Sequence, residues 1–228
     1  MLFYIEGNIG TGKTTFINLL NSYLSRFHEI NHDAHVTLEP VDEWMETEDS
    51  DGQNILQKFY GDQEKWSFAF QMNSFISRVK KIQDDYFSPS KDDMKKILFV
   101  ERSIYTDRHC FAKLCWENGK MTKLEYDIYC KWNDWLIETF NVKPCGYIYL
   151  RTSPEVCSDR INARSRNEEG GIPIDYLEKL HNSHDDWLNN ATTPVLEIDI
   201  TKNYLEDSRE KETLVSRVES FILSLTDN

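Results

Sequence analysis

Residues 7–14 read Gly7-Asn8-Ile9-Gly10-Thr11-Gly12-Lys13-Thr14, a complete G-x-x-x-x-G-K-[ST] pattern. A short apolar run, Leu2-Phe3-Tyr4-Ile5, stands before it, and an amphipathic stretch that opens on Thr15 follows. Strand, glycine loop and helix in that order are the setting in which this pattern holds phosphate. The glycines let successive backbone N–H groups turn inward toward phosphate oxygens. The helix N-terminus adds partial positive charge. Lys13 reaches β- and γ-phosphates, and the Thr14 hydroxyl is a ligand for Mg²⁺. The alternative is a glycine loop that only turns the chain. Lys and Thr in place behind a strand favour the phosphate site, and so a nucleoside triphosphate.

Outward from this loop, strand-length apolar runs recur at 34–38, 96–100, 147–150 and 195–198. Helical patterns fill 13–27, 55–87, 106–116, 123–140, 153–163, 173–189 and 207–225. Strands alternating with helices predict an α/β fold, a five-stranded parallel sheet flanked by helices. The 228 residues suit one domain, with polar surface loops at 45–53 and 201–208. Ligands of such sheets sit beyond the carboxyl ends of the strands. There the chain places Glu39-Pro40, Glu101-Arg102-Ser103 and Arg151-Thr152, a charged group at each end.

The net charge of −13, from 26 basic and 39 acidic side chains, argues against a nucleic-acid-binding face. Five cysteines form no C-x-x-C pair, which suggests free thiols in a reducing compartment. No segment approaches the roughly 18 consecutive apolar residues of a membrane span. The chain opens directly on its first strand, without room for a transit sequence, so the expected location is the cytoplasm.

Glu39 could accept the proton of an attacking acceptor hydroxyl, or merely cap a turn. Glu101 could hold Mg²⁺, and Arg102 could orient the acceptor or steady charge on a moving phosphoryl group. The alternative for that pair is a salt bridge between neighbours. Arg160, Arg164 and Arg166 form the densest basic cluster of an acidic chain, ahead of Glu168-Glu169-Gly170-Gly171. They read as an Arg-rich mobile lid over a triphosphate at about residues 160–172, or as a solvated Arg/Glu face. Gln71, Ser74 and Arg78 share one helix face among Phe59, Tyr60, Trp66, Phe68, Phe70 and Phe75. A Gln amide with flanking rings can read a base; an aromatic stripe can equally be core.

The chain resembles the deoxynucleoside kinase family, in the branch holding deoxycytidine kinase, deoxyguanosine kinase and insect multisubstrate kinases. The matching stretches are Ile5-Glu6-Gly7-Asn8-Ile9-Gly10, Glu39-Pro40-Val41 with Trp44, Phe70-Gln71, Glu101-Arg102-Ser103 with Asp107-Arg108, and residues 164–187. The resemblance implies a P-loop kinase fold and transfer of the γ-phosphoryl group of ATP, with Mg²⁺, to a deoxynucleoside 5′-hydroxyl. By the same resemblance Glu39 is the base, Arg102 its partner and Glu101 a Mg²⁺-site acid. Tyr60 and Glu169 match a pair that holds the sugar 3′-hydroxyl. Gln71 matches a base-reading amide, with Trp44, Phe70 and Phe111 around it. Arg164 and Arg166 match lid arginines on the donor phosphates, with Arg160 beside them, and 197–206 matches a loop that cups the donor base. Family members are usually homodimers built on a helix pair, here 55–87 with 123–140.

Thymidine-accepting relatives carry small or apolar residues where this chain has Arg78 and Asp107. Both positions are charged here, which implies deoxyadenosine, deoxyguanosine or deoxycytidine over thymidine, and Ser74 leaves room for a purine. Two other readings compete. A nucleoside monophosphate kinase on the same fold would bring an acceptor phosphate against Glu39. A non-catalytic kinase-like accessory subunit would not need Lys13, Thr14, Glu39, Glu101 and Arg102 together.

Overall fold

A computed structural model describes residues 1–30, 32–86, 95–164 and 171–226. Its sheet has five strands, β1 (Leu2–Glu6), β2 (His32–Thr37), β3 (Lys95–Glu101), β4 (Gly146–Arg151) and β5 (Val195–Asp199), in the order β2-β3-β1-β4-β5. Every neighbouring pair is parallel. The helices in chain order are α1 (Lys13–Ser22), α2 (Leu24–Glu29), α3 (Val41–Glu46), α4 (Ile55–Gly61), α5 (Gln63–Tyr86), α6 (Ile104–Thr106), α7 (Lys113–Glu117), α8 (Lys123–Phe140), α9 (Pro154–Arg164), α10 (Ile174–Asn189) and α11 (Ser208–Thr226).

Period-two alternation in the central strand divides the core. Phe3 and Ile5 of β1 pack with Phe16, Ile17 and Leu20 of α1 and Val215, Val218 and Ile222 of α11. Leu2 and Tyr4 pack on the opposite face with Phe75, Val79 and Ile82 of α5 and Tyr129 and Leu136 of α8. Each such side chain contributes about 1.5–3 kcal/mol when fully buried, so both faces of the sheet are covered, as its near-continuous apolar strands require. The register aligns Ile5 with Glu101, so the ends of β1 and β3 are level. That places the glycine loop beside the turn carrying Arg102.

Three predicted helices differ in detail. The 13–27 pattern breaks at Tyr23, whose N–H folds back to Leu20 O at 3.0 Å in a tighter turn, giving α1 and α2. The 55–87 pattern breaks at Asp62 (φ −149°), directly after Gly61. The Asp62 carboxylate accepts from Lys65 N at 3.2 Å and caps α5, so a periodic apolar pattern hides two helices. From Ile104 to Glu117 the chain is helical throughout, but Asp107–Ala112 is a π-helical turn. Helix α3 occupies 41–46 and overlaps the expected 45–53 loop; six residues are too few to show a period. No helix among the described residues is long and apolar enough to cross a membrane.

Candidate active site

The glycine loop joins β1 to α1 as the sequence predicts. Gly7 adopts φ +146°, and a Cβ there would lie 2.5 Å from the carbonyl oxygen of Leu150. Only glycine lets the loop pass β4 this closely. Gly12, at φ +95°, starts α1 without a side-chain cap, leaving its first N–H groups for a ligand. Asn8 holds the loop in shape: its Nδ2 donates to Leu177 O of α10 at 2.8 Å, and its Oδ1 accepts from Ile9 N at 2.8 Å. The Thr11 hydroxyl donates to Asn8 O at 3.0 Å. Lys13 is buried and lies back on the loop, its Nζ donating to Asn8 O at 2.7 Å and Gly7 O at 3.2 Å. Burial, then the charge of Arg102, pushes the Lys13 pKa down to about 7.

Glu101, at the end of β3, accepts the Thr14 hydroxyl at 2.7 Å on Oε1, and its other oxygen faces Glu39 N at 3.5 Å. A hydroxyl and a carboxylate side by side at the phosphate cradle are the hard oxygen donors that Mg²⁺ takes, so these residues fit such an ion. Arg102 adopts a left-handed backbone, φ +60°. Its NH1 donates to Gly7 O at 2.9 Å, and its guanidinium sits 4.8 Å over the Phe111 ring. The neighbour salt bridge considered for Glu101 and Arg102 is not what forms: Arg102 Nε faces Glu39 Oε1 at 3.4 Å.

Glu39 lies just past β2 and ahead of α3. Arg78 NH2 donates to its Oε1 at 2.5 Å. Burial pushes the Glu39 pKa up, but Arg78, Arg102 and Lys13 more than reverse this and hold it at about 2. Arg78 also donates through Nε to Asp107 Oδ2 at 2.9 Å and through NH1 to Glu101 O at 3.3 Å. It is shared by two carboxylates. Burial lowers its pKa and the two acids more than restore it, so it stays charged. Asp107, nearly fully buried, is pushed up by burial against the pull of Arg78. Ser74 donates to Asp107 Oδ1 at 3.3 Å. The two charged positions 78 and 107 thus form an Arg78–Asp107 pair, with Gln71 lining the same cavity.

These side chains line one cavity of about 750 Å³, together with Ile9, Gly10, Thr11, Gly12, Thr14, Thr15, Trp44, Phe59, Tyr60, Phe70, Phe111, Arg160 and Arg164. Phe59 stacks on Phe70 with centroids 4.6 Å apart, and Trp44 meets Phe70 edge-on at 5.5 Å. Trp44 is fixed by a 2.8 Å bond from its indole N–H to Ser77. Gln71, buried among these rings, has an Oε1 with no hydrogen-bond partner among the described residues. Arg160 ties the glycine loop to the segment after β5, donating to Thr11 O at 3.0 Å and Ile200 O at 2.8 Å.

One strand-end residue is misread from sequence. Arg151 turns away from this cavity and forks onto Asp185 of α10 at 2.9 and 2.8 Å, because Tyr149 and Arg151 share the face that α10 covers. Arg166, Glu169 and the rest of 165–170 within the 160–172 lid lie outside the described residues. Conversely, Tyr176 of α10 and Leu38 and Leu56 line the cavity without any sequence signal. The Lys202-Asn203-Tyr204-Leu205 wall falls in the stretch that the resemblance assigns to the donor base.

A family model described as deoxynucleoside kinase matches residues 3–223. The chain belongs to the deoxynucleoside kinase family. It is 38% identical to deoxycytidine kinase of Mus musculus and 38% identical to that of Homo sapiens, each alignment covering 97% of this chain and 90% of the relative. It is 31% identical to the mitochondrial deoxyguanosine kinase of Xenopus laevis, over 97% of this chain and 89% of that protein. This kinase therefore phosphorylates deoxynucleosides for salvage, with a nucleoside triphosphate as donor.

Proposed function

We propose that this kinase transfers the γ-phosphoryl group of ATP to the 5′-hydroxyl of deoxycytidine, deoxyadenosine or deoxyguanosine in preference to thymidine, and that its whole chain forms one kinase domain. The observation that carries this reading is that Glu39 lines the same cavity of about 750 Å³ as Lys13 and the glycine loop. Lys13, Gly12 and the α1 N-terminus would hold the donor phosphates, with Arg160 and Arg164 from α9 alongside. Thr14 and Glu101 would hold Mg²⁺, which when bound neutralises phosphate charge. Held at a pKa of about 2 by Arg78, Arg102 and Lys13, Glu39 is ionised but a weak base. Donor phosphates compete for Lys13 and Arg102, releasing part of the charge that holds Glu39 down. Loading the donor thus raises the basicity of Glu39 toward what proton removal from the 5′-hydroxyl requires.

The base would lie between Phe59, Phe70 and Trp44 with its edge on the Gln71 amide. The Arg78–Asp107 pair closes that end of the pocket with polar groups. The C5-methyl of a methylated pyrimidine crowds the guanidinium, and its O4 cannot donate to Asp107 as the exocyclic amine of cytosine or adenine can. Tyr60 would contact the sugar. A panel of the four deoxynucleosides with ATP and Mg²⁺ tests base choice; thymidine giving the highest kcat/KM would overturn it. Adding dAMP as acceptor separates a monophosphate kinase. In Glu39→Gln the kcat should fall by about 10²-fold or more, while an unchanged kcat excludes Glu39 as the base.

A homodimer is supported by an apolar stripe. Leu124, Ile128, Trp132 and Trp135 on α8 are 70%, 36%, 48% and 49% exposed, and Ile76 on the adjoining α5 is 50% exposed. Such a contiguous patch on a helix pair suits a second copy. The five free cysteines fit a reducing compartment, taken here as the cytoplasm; cell fractionation distinguishes it from mitochondria.

A further inference from the structure

Glu6, the last residue of β1, has a fully buried side chain. It falls in the alternating register of Leu2 and Tyr4, on the face where a strand beneath two helices calls for an apolar residue. The site described above gives it no part, so a carboxyl group in this position needs a reason. Its Oε2 accepts the hydroxyl of Thr106. The hydroxyl of Ser103 lies 3.4 Å from that of Thr106 and accepts from Thr106 N at 3.2 Å, capping α6. Glu6, Ser103 and Thr106 form one buried polar cluster beneath the turn that leaves β3.

That turn carries three cavity residues in seven positions: Glu101, Arg102 and Asp107. Its pivot is strained, since Arg102 holds φ +60° without being glycine. Strain of this kind, about 1–3 kcal/mol, persists only where surrounding bonds fix it. On the amino-terminal side the bond is Arg102 N to Ile5 O at 3.0 Å. On the carboxyl-terminal side the side-chain tether from β1 is Glu6.

We propose that Glu6 is a positioning residue: through Thr106 and Ser103 its carboxyl group fixes the turn after β3 so that Arg102 faces Glu39 and Asp107 faces Arg78. Glu6 touches neither substrate subsite, and its effect reaches the reaction through Arg102 and, by way of Asp107 and Arg78, through Glu39. Burial raises its pKa while the Ser103 and Thr106 hydroxyls pull the other way. The remaining oxygen, Oε1, has no partner among the described residues. One acceptor oxygen on Thr106 is therefore all that the geometry uses, a task that a Gln amide can also perform.

This inference rests on the assignment of Arg102 and Glu39 to the reaction, and its test separates the two. Glu6→Gln should keep kcat within about threefold, whereas Glu6→Leu should lose about 10²-fold in kcat, the penalty of misplacing reacting groups by an ångström. The donor KM should change less than kcat in both, because Asn8 holds the glycine loop from α10 while Arg102 gives it a single bond. Thr106→Val, which keeps the shape and removes the hydroxyl, should reproduce the Glu6→Leu loss and decides the question alone if Glu6→Leu does not fold. Folding is checked by thermal melting and near-ultraviolet dichroism on the same samples. A folded Glu6→Leu or Thr106→Val with unchanged kcat overturns the proposal, as does Glu6→Gln failing as badly as Glu6→Leu. Arg102→Lys, assayed alongside, loses kcat if Arg102 acts in the reaction, whatever the outcome at Glu6.

Discussion

Lys13 is where a single side chain sets a measurable pH dependence. Free, it lies on loop carbonyls with a pKa near 7; beside a polyanion its charged form is favoured, so its pKa rises. Binding therefore takes up a proton above about pH 7, and donor affinity should fall by up to about tenfold per pH unit there. Calorimetric titration of the donor between about pH 7.5 and about pH 9, in buffers of different ionisation enthalpy, reads both effects; flat affinity with no proton uptake rules the coupling out. Arg78 makes a second residue-scale case. It neutralises two carboxylates at once, so Arg78→Met alone leaves Asp107 buried and unpaired. Removing one partner of such a pair costs about 3–5 kcal/mol. The double change Arg78→Met with Asp107→Ala should melt higher than Arg78→Met alone, and the reverse order would show that the pair is not coupled.

Among the elements, legibility followed how local the physics is. The phosphate loop is contiguous, so its chemistry stands in eight adjacent letters. Glu39, Glu101 and Arg102 were legible because strands of a parallel sheet end at the crevice. The same rule misplaced Arg151, since it fixes the end of a strand and not the face to which its last side chain turns; α10 supplies Asp185 there. Helix breaks at Tyr23 and Asp62 were hidden because the apolar period continues across both. Glu6 reads as part of the glycine-loop motif, and only the burial of its carboxyl group separates it from that motif. The glycine loop makes its own prediction. In Gly7→Ala the new methyl would stand 2.5 Å from a backbone oxygen of β4, which cannot yield as a side chain does. Donor binding, followed by equilibrium titration, should weaken by at least about tenfold, with a lower melting temperature. Wild-type affinity would mean that the loop does not need this close approach.

At the scale of the whole molecule, an exposed stripe holding two tryptophans on α8 is a liability unless covered. Trp132→Asp with Trp135→Asp should convert a particle of about twice 27.0 kDa into a monomer in sedimentation equilibrium. A wild-type monomer at micromolar concentration would leave the stripe for another partner.

The shared guanidinium at position 78 also constrains descent. A lineage drifting toward a methylated pyrimidine would have to discard a buried cation and its buried counter-ion, at positions 29 residues apart. Either change by itself strands a charge in the interior, so the intermediate is less stable than both ends of the path. Taste for a new base should therefore be inherited as a matched pair of replacements, and ancestors reconstructed along such a branch should show both or neither.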